Sequence, residues 1–114
     1  MSAITTHVLD TAKGRPAAGV PVLLEVRGDA GDWQAISRGT TDLDGRLRTL
    51  YPEGKPLDEG VYRLTFDTGR YFETLGVSAF YPEVAVIFET AAKEKHYHVP
   101  LLIAPYGYST YRGT

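Results

Sequence analysis

Three histidines, one arginine behind a tight turn and an unusual C-terminal run are the residues of this chain that could do chemistry. In a β-strand, residues i and i+2 project from the same face, so His96 and His98 share a surface while Tyr97 points the other way. Tyr97, Val99 and Leu101 then face a core, leaving His96, His98, Pro100 and Leu102 outside. His7 and Leu9 oppose Val8 in the same manner near the start of the chain. A neutral imidazole, with an unperturbed pKa of about 6.5, can take a proton near neutral pH. A histidine on a strand surface is more often simply solvated. His-x-His spacing also suits a metal ion, but a metal needs a third ligand, and no His-Asp-Glu cluster in the sequence completes one. Acid–base work suits these residues better. Arg46 follows the turn Asp42-Leu43-Asp44-Gly45. It is either a solvated arginine or a fixed cation whose planar fork grips an anionic or carbonyl-rich ligand. The tail Tyr108-Ser109-Thr110-Tyr111-Arg112-Gly113-Thr114 is rich in hydroxyl and aromatic groups where termini are normally frayed. The plainer reading is a last strand with a ragged end.

These residues must be held by strands. Val20 to Gly28 alternates, with Val22, Leu24 and Val26 on one face and Glu25 and Arg27 on the other. Val61 to Asp67 repeats the pattern, with Tyr62, Leu64 and Phe66 toward the core. Val84 to Phe88 is apolar throughout, as in a strand buried on both faces or against a partner chain. Further strand-like stretches lie around His7, from Trp33 to Arg38, Leu47 to Leu50, Lys95 to Ile103, and Tyr108 to Arg112. Pro100 removes one ladder donor and implies a bulge or local unpairing. Lys13-Gly14-Arg15-Pro16, Gly28 to Asp32, Asp42 to Gly45 and Pro52 to Pro56 read as turns. Thr68 to Gly76 breaks the rhythm and predicts about two turns of helix, capped by Asp67 or Thr68 and ended by Gly76. Short, regularly spaced strands without a long helix indicate an all-β, two-sheet sandwich.

A chain of 114 residues has room for one domain, spanning 1–114, and no linker or repeat divides it. Twelve basic residues against fourteen acidic leave a net charge of -2 with no concentrated Lys/Arg patch, which disfavours nucleic acid as a partner. Cysteine is absent, which excludes disulfide scaffolds, thiolate zinc sites and cysteine nucleophiles. Small domains without such staples often gain stability by oligomerising. Met1-Ser2-Ala3-Ile4-Thr5-Thr6-His7 has neither a basic start nor a long apolar run. It predicts no signal peptide and no membrane anchor, hence a cytoplasmic protein.

Thr6-His7-Val8-Leu9-Asp10, Thr41-Asp42-Leu43-Asp44-Gly45-Arg46, His96-Tyr97-His98-Val99-Pro100-Leu101-Leu102 and Pro105 to Thr114 together resemble the 5-hydroxyisourate hydrolases of the transthyretin-like family. The likeness spans nearly the whole chain in order and spacing. The terminal Tyr-Arg-Gly-Ser signature is specific to these enzymes and is lacking in vertebrate transthyretin, a hormone carrier of the same fold. The resemblance implies a sandwich of about eight strands with one short helix. It implies a homotetramer in which two sandwiches pair through edge strands, two such pairs associate, and sites lie in the channel between them. It further implies that His7, Arg46 and His98 are catalytic or substrate-binding, and that Tyr111 and the end of the tail line the same site. In transthyretin the positions matching His7 and His98 are not histidine. Here the last residue is Thr114 where the family usually has Ser, which keeps a hydroxyl and adds a methyl. The implied reaction is the opening of 5-hydroxyisourate by water, with no metal or organic cofactor. His98 or His7 would take the proton, Arg46 would hold the substrate's oxygens, and Tyr111 and Thr114 would shape the site. The competing reading is a non-catalytic transthyretin-like carrier, which needs an apolar cavity.

Overall fold

Apolar residues at every second position sort each strand into an inner and an outer face, and the computed structural model, which describes residues 2–114, closes two sheets over the inner faces. Met1, at the edge of the 1–114 span, lies outside the described residues. The strands are β1 (Ile4–Asp10), β2 (Arg15–Pro16), β3 (Pro21–Arg27), β4 (Trp33–Thr40), β5 (Arg46–Leu47), β6 (Val61–Phe66), β7 (Val84–Glu89), β8 (Tyr97–Ala104) and β9 (Gly107–Thr110), with one helix, α1 (Thr68–Thr74). One sheet runs β2-β1-β8-β9, with β5 also paired to β1; the other runs β4-β3-β6-β7. All pairs are antiparallel except β1 with β8. A parallel pair requires a crossover, and here the chain builds the whole second sheet between its two members.

Ile4, Val8, Leu101 and Ile103 from the first sheet meet Val22, Leu24, Leu64 and Phe66 from the second, all buried. Each such side chain contributes about 1.5–3 kcal/mol of burial. The expected inner faces of β3 and β6 are those observed. The helix forms where its caps stand: Asp67 Oδ1 accepts from Arg70 N at 3.2 Å, and Gly76 follows in the left-handed region at φ +68. Tyr71 on α1 donates its hydroxyl to Asp10 Oδ2 at 2.8 Å, tying the helix to β1. Burial, reinforced by that carboxylate, pushes the Tyr71 phenol up to about 12.

Three expectations change and one open alternative closes. Arg15-Pro16, read within a turn, forms a short strand against Leu9 and Asp10. The Leu47 to Leu50 stretch pairs only at its beginning, as Arg46–Leu47. The apolar β7 is an edge strand whose Ile87 is 58% exposed, so within the chain it is not buried on both faces. Pro100 produces the unpaired option: β9 pairs with β8 from Ala104 back to Leu101, lapses, and pairing resumes at an isolated His98–Gly113 bridge.

Candidate active site

Residues opposed across neighbouring strands project to the same face of a sheet. Thr5 on β1 pairs with His98 on β8, His7 on β1 pairs with Arg46 on β5, and Thr5 and His7 are two apart. One face of one sheet therefore carries His7, Arg46 and His98. That face forms the floor of an open cavity of about 190 Å³ whose lining includes Arg46, Arg48, His96, His98, Thr5 and Thr114. His7 stands on the same face beside this cavity, outside its lining.

Arg46 is presented by a turn that its own backbone closes. Asp42 Oδ1 accepts from Asp44 N at 2.8 Å and from Arg46 N at 3.0 Å, while Gly45 N donates to Asp42 O at 2.9 Å. The Arg46 N–H bond is the main reason the Asp42 carboxyl sits below the usual carboxylate range, helped by Asp44 N–H and the Arg48 and Arg46 charges. Gly45 is required: at φ +75, a Cβ would lie 2.4 Å from Val8 O. The same turn fixes His7. Its Nε2 lies 2.8 Å from Asp44 O, and a carbonyl only accepts, so Nε2 carries the proton and Nδ1 keeps a lone pair in the neutral ring.

His98 is held through its ring and through its backbone. Its Nδ1 lies 2.8 Å from Thr5 Oγ1. Gly113 N donates to His98 O at 2.8 Å, and a Cβ on Gly113 would come within 2.7 Å of His98 Cδ2, so the tail lies directly on the ring. Thr110 Oγ1 donates to Pro100 O at 2.7 Å, holding the tail where the ladder lapses. Burial lowers the His98 pKa, and the Arg46, His7 and His96 charges lower it further. That shift favours the neutral imidazole, which has a base nitrogen to offer. Among the described residues no group of three or more His, Cys, Asp or Glu could hold a metal ion.

Of the residues singled out in the sequence, His7, Arg46 and His98 share this face, and Thr114 lines the cavity. Tyr111 does not. It is 58% exposed and lines a separate groove of about 460 Å³, beside Phe88, Tyr97 and Arg112. The reason is local: the chain leaves β9 after Thr110 and only Gly113 returns to His98. Thr5, Arg48, Gly113 and the inward reach of His96 were missed. Position i–2 from His7 and i+2 from Arg46 were the available signals for Thr5 and Arg48.

The family model described as the HIUase/Transthyretin family matches residues 4–113. The chain belongs to that family. Within the HIUase/Transthyretin family, a 5-hydroxyisourate hydrolase of Salmonella typhimurium is 48% identical over 97% of this chain and 80% of its own length. Among solved structures, the 5-hydroxyisourate hydrolase of Klebsiella pneumoniae superposes with a TM-score of 0.85 at 37% identity, covering 100% of this chain and 94% of that one. Transthyretin from Sparus aurata superposes at 0.92 with 31% identity, covering 99% and 97%. The fold is thus shared by proteins named as hydrolases and by proteins named as transthyretins.

Proposed function

We propose that this chain, as one domain over 1–114, hydrolyses 5-hydroxyisourate to 2-oxo-4-hydroxy-4-carboxy-5-ureidoimidazoline in urate degradation. The observation that carries the reading is the outer sheet face, where His7, Arg46 and His98 stand together and Arg46 and His98 line the cavity, in a chain whose relatives are named for this reaction. An apolar carrier cavity has no use for that lining.

The nitrogen of His98 left free by Thr5 is Nε2. It takes a proton from water as the oxygen attacks a ring amide carbonyl. Collapse of the intermediate breaks the ring C–N bond, and the imidazolium returns the proton to the departing nitrogen. Arg46 holds the substrate's oxygens and offsets the charge that develops on the attacked carbonyl. His7 Nδ1 accepts a hydrogen bond from the substrate and orients the flat ring. Thr114 closes one wall and donates its hydroxyl, and Tyr111 is assigned to the site only through a partner chain. Base catalysis of this kind is worth about 10² to 10⁴ in rate, and an oxyanion donor about 10² to 10³.

The same proposal includes a homotetramer, with sites completed in a channel between pairs. Its support is the free edge at β7 and the exposed Phe80, Tyr108 and Tyr111. It takes the protein to be cytoplasmic, with no nucleic-acid or membrane partner; among the described residues no helix is long and apolar enough to cross a membrane. The test is to generate 5-hydroxyisourate from urate with a urate oxidase and follow its ultraviolet absorbance. Decay faster than the spontaneous rate upholds the reading, and unchanged decay returns the chain to the carriers.

A further inference from the structure

Thr5 Oγ1 has two hydrogen-bond partners, and both are ring nitrogens: His98 Nδ1 at 2.8 Å and His96 Nε2 at 3.3 Å. Its side chain is buried, 5% exposed, on the face that floors the cavity. A hydroxyl carries one proton to donate and has lone pairs that accept. It therefore cannot donate to both rings. If it donates to one, the other must donate to it, so the tautomer of each neutral imidazole dictates that of its neighbour.

From this geometry we infer that Thr5 is a positioning residue that couples the tautomers of His96 and His98. His98 donates from Nδ1–H to Thr5 Oγ1, and Thr5 donates its proton to His96 Nε2. His98 Nε2 is then left as a lone pair toward the cavity, and His96 carries its own proton on Nδ1. The direction follows from the mechanism above and rests on that reading: a base acting through Nε2 must keep its proton on Nδ1. The opposite direction would place a proton on Nε2 and leave His98 no base to present. His96 is thereby the far end of a two-bond chain, with no contact to substrate required of it. A backbone carbonyl holds His7 in a single tautomer, and Thr5 does the corresponding work for His98, although a hydroxyl does so only because a second imidazole accepts its proton.

Two measurements test this on the full protein. Nitrogen-15 NMR of the histidine rings, above the pH at which both are neutral, should show His98 protonated on Nδ1 and bare on Nε2, and His96 likewise. A His98 protonated on Nε2 overturns the inference, whatever the enzyme's activity. Thr5→Val keeps the shape and removes the hydroxyl, whereas Thr5→Ser keeps the hydroxyl. Thr5→Val should lose about 10- to 100-fold in kcat, mostly without change in KM, as when a group that orients a catalytic one is removed. Its His98 should show a mixture of tautomers, while Thr5→Ser restores both the wild-type tautomer and most of kcat. Full kcat in Thr5→Val, or a serine variant as impaired as the valine one, also overturns it. A wild type that leaves 5-hydroxyisourate at its spontaneous rate would instead sink the proposed function and leave the tautomer measurement standing.

Discussion

The two faces of β1 and β8 carry the same alternation and serve different ends. Ile4, Thr6, Val8 and Leu101 point inward and are sealed from solvent. Thr5, His7 and His98 point outward from the same strands. The inner residues act through volume and apolar area, so another residue of similar shape can replace most of them at modest cost. The outer residues are held by named atoms: Asp44 O for His7, Thr5 Oγ1 for His98, Asp42 Oδ1 for the backbone of Arg46. On the proposed mechanism, stability and activity are separated by a single step along one strand. A one-residue slip in register would exchange the two sets.

Substitutions on either face can break this division. The largest effect is expected for His98→Asn: turnover of 5-hydroxyisourate should fall by about 10² to 10⁴, with the melting temperature nearly unchanged. Normal turnover would remove His98 from the mechanism. Arg46→Gln should cost about 10² to 10³ in kcat/KM while the circular dichroism spectrum stays that of the wild type. Leu64→Ala, wholly buried on the second sheet, should do the reverse. It should lower unfolding free energy by about 2–5 kcal/mol in a denaturant titration, with kcat retained in the folded fraction. Loss of kcat there would mean that the two faces are not independent. The smallest effect belongs to pH and stability. The His98 pKa is lowered on folding, so below about 6.5 the unfolded chain binds a proton that the folded ring still refuses. Stability should therefore decline as pH falls from that value, and His98→Asn should remove part of the decline in paired melting curves.

Much of this separation was legible in the residues because it is local. Alternation in Val20 to Gly28 and Val61 to Asp67 named the inner faces, and Asp67 with Gly76 bounded the helix, since each signal acts within a turn or a strand. The His-x-His spacing likewise put His96 and His98 on one surface. Thr5 was not legible. A threonine in a strand reads as an ordinary β-former, and its partners stand 91 and 93 residues away. Gly113 hid in the tail for a similar reason: its role is the absence of a side chain against an imidazole 15 positions earlier (113 − 98). The β2 strand was masked by turn residues because Pro16 pairs at a sheet margin, where its missing donor costs little. Tyr111 is the reverse case: family likeness assigned it to the site, while within the single chain it lines a separate groove.

If a neutral imidazole on the outer face performs the ring opening, the acid limb of the kcat/KM profile must carry its titration. That limb reports the base in the free enzyme, whose pKa lies below the ordinary histidine value. The expected result is activity that persists below pH 6.5 and falls with a single protonation at lower pH, and in His98→Asn a residual activity, lower by about 10² to 10⁴, from which that protonation step is gone. A profile flat to pH 4, or one that His98→Asn leaves in place, would contradict it.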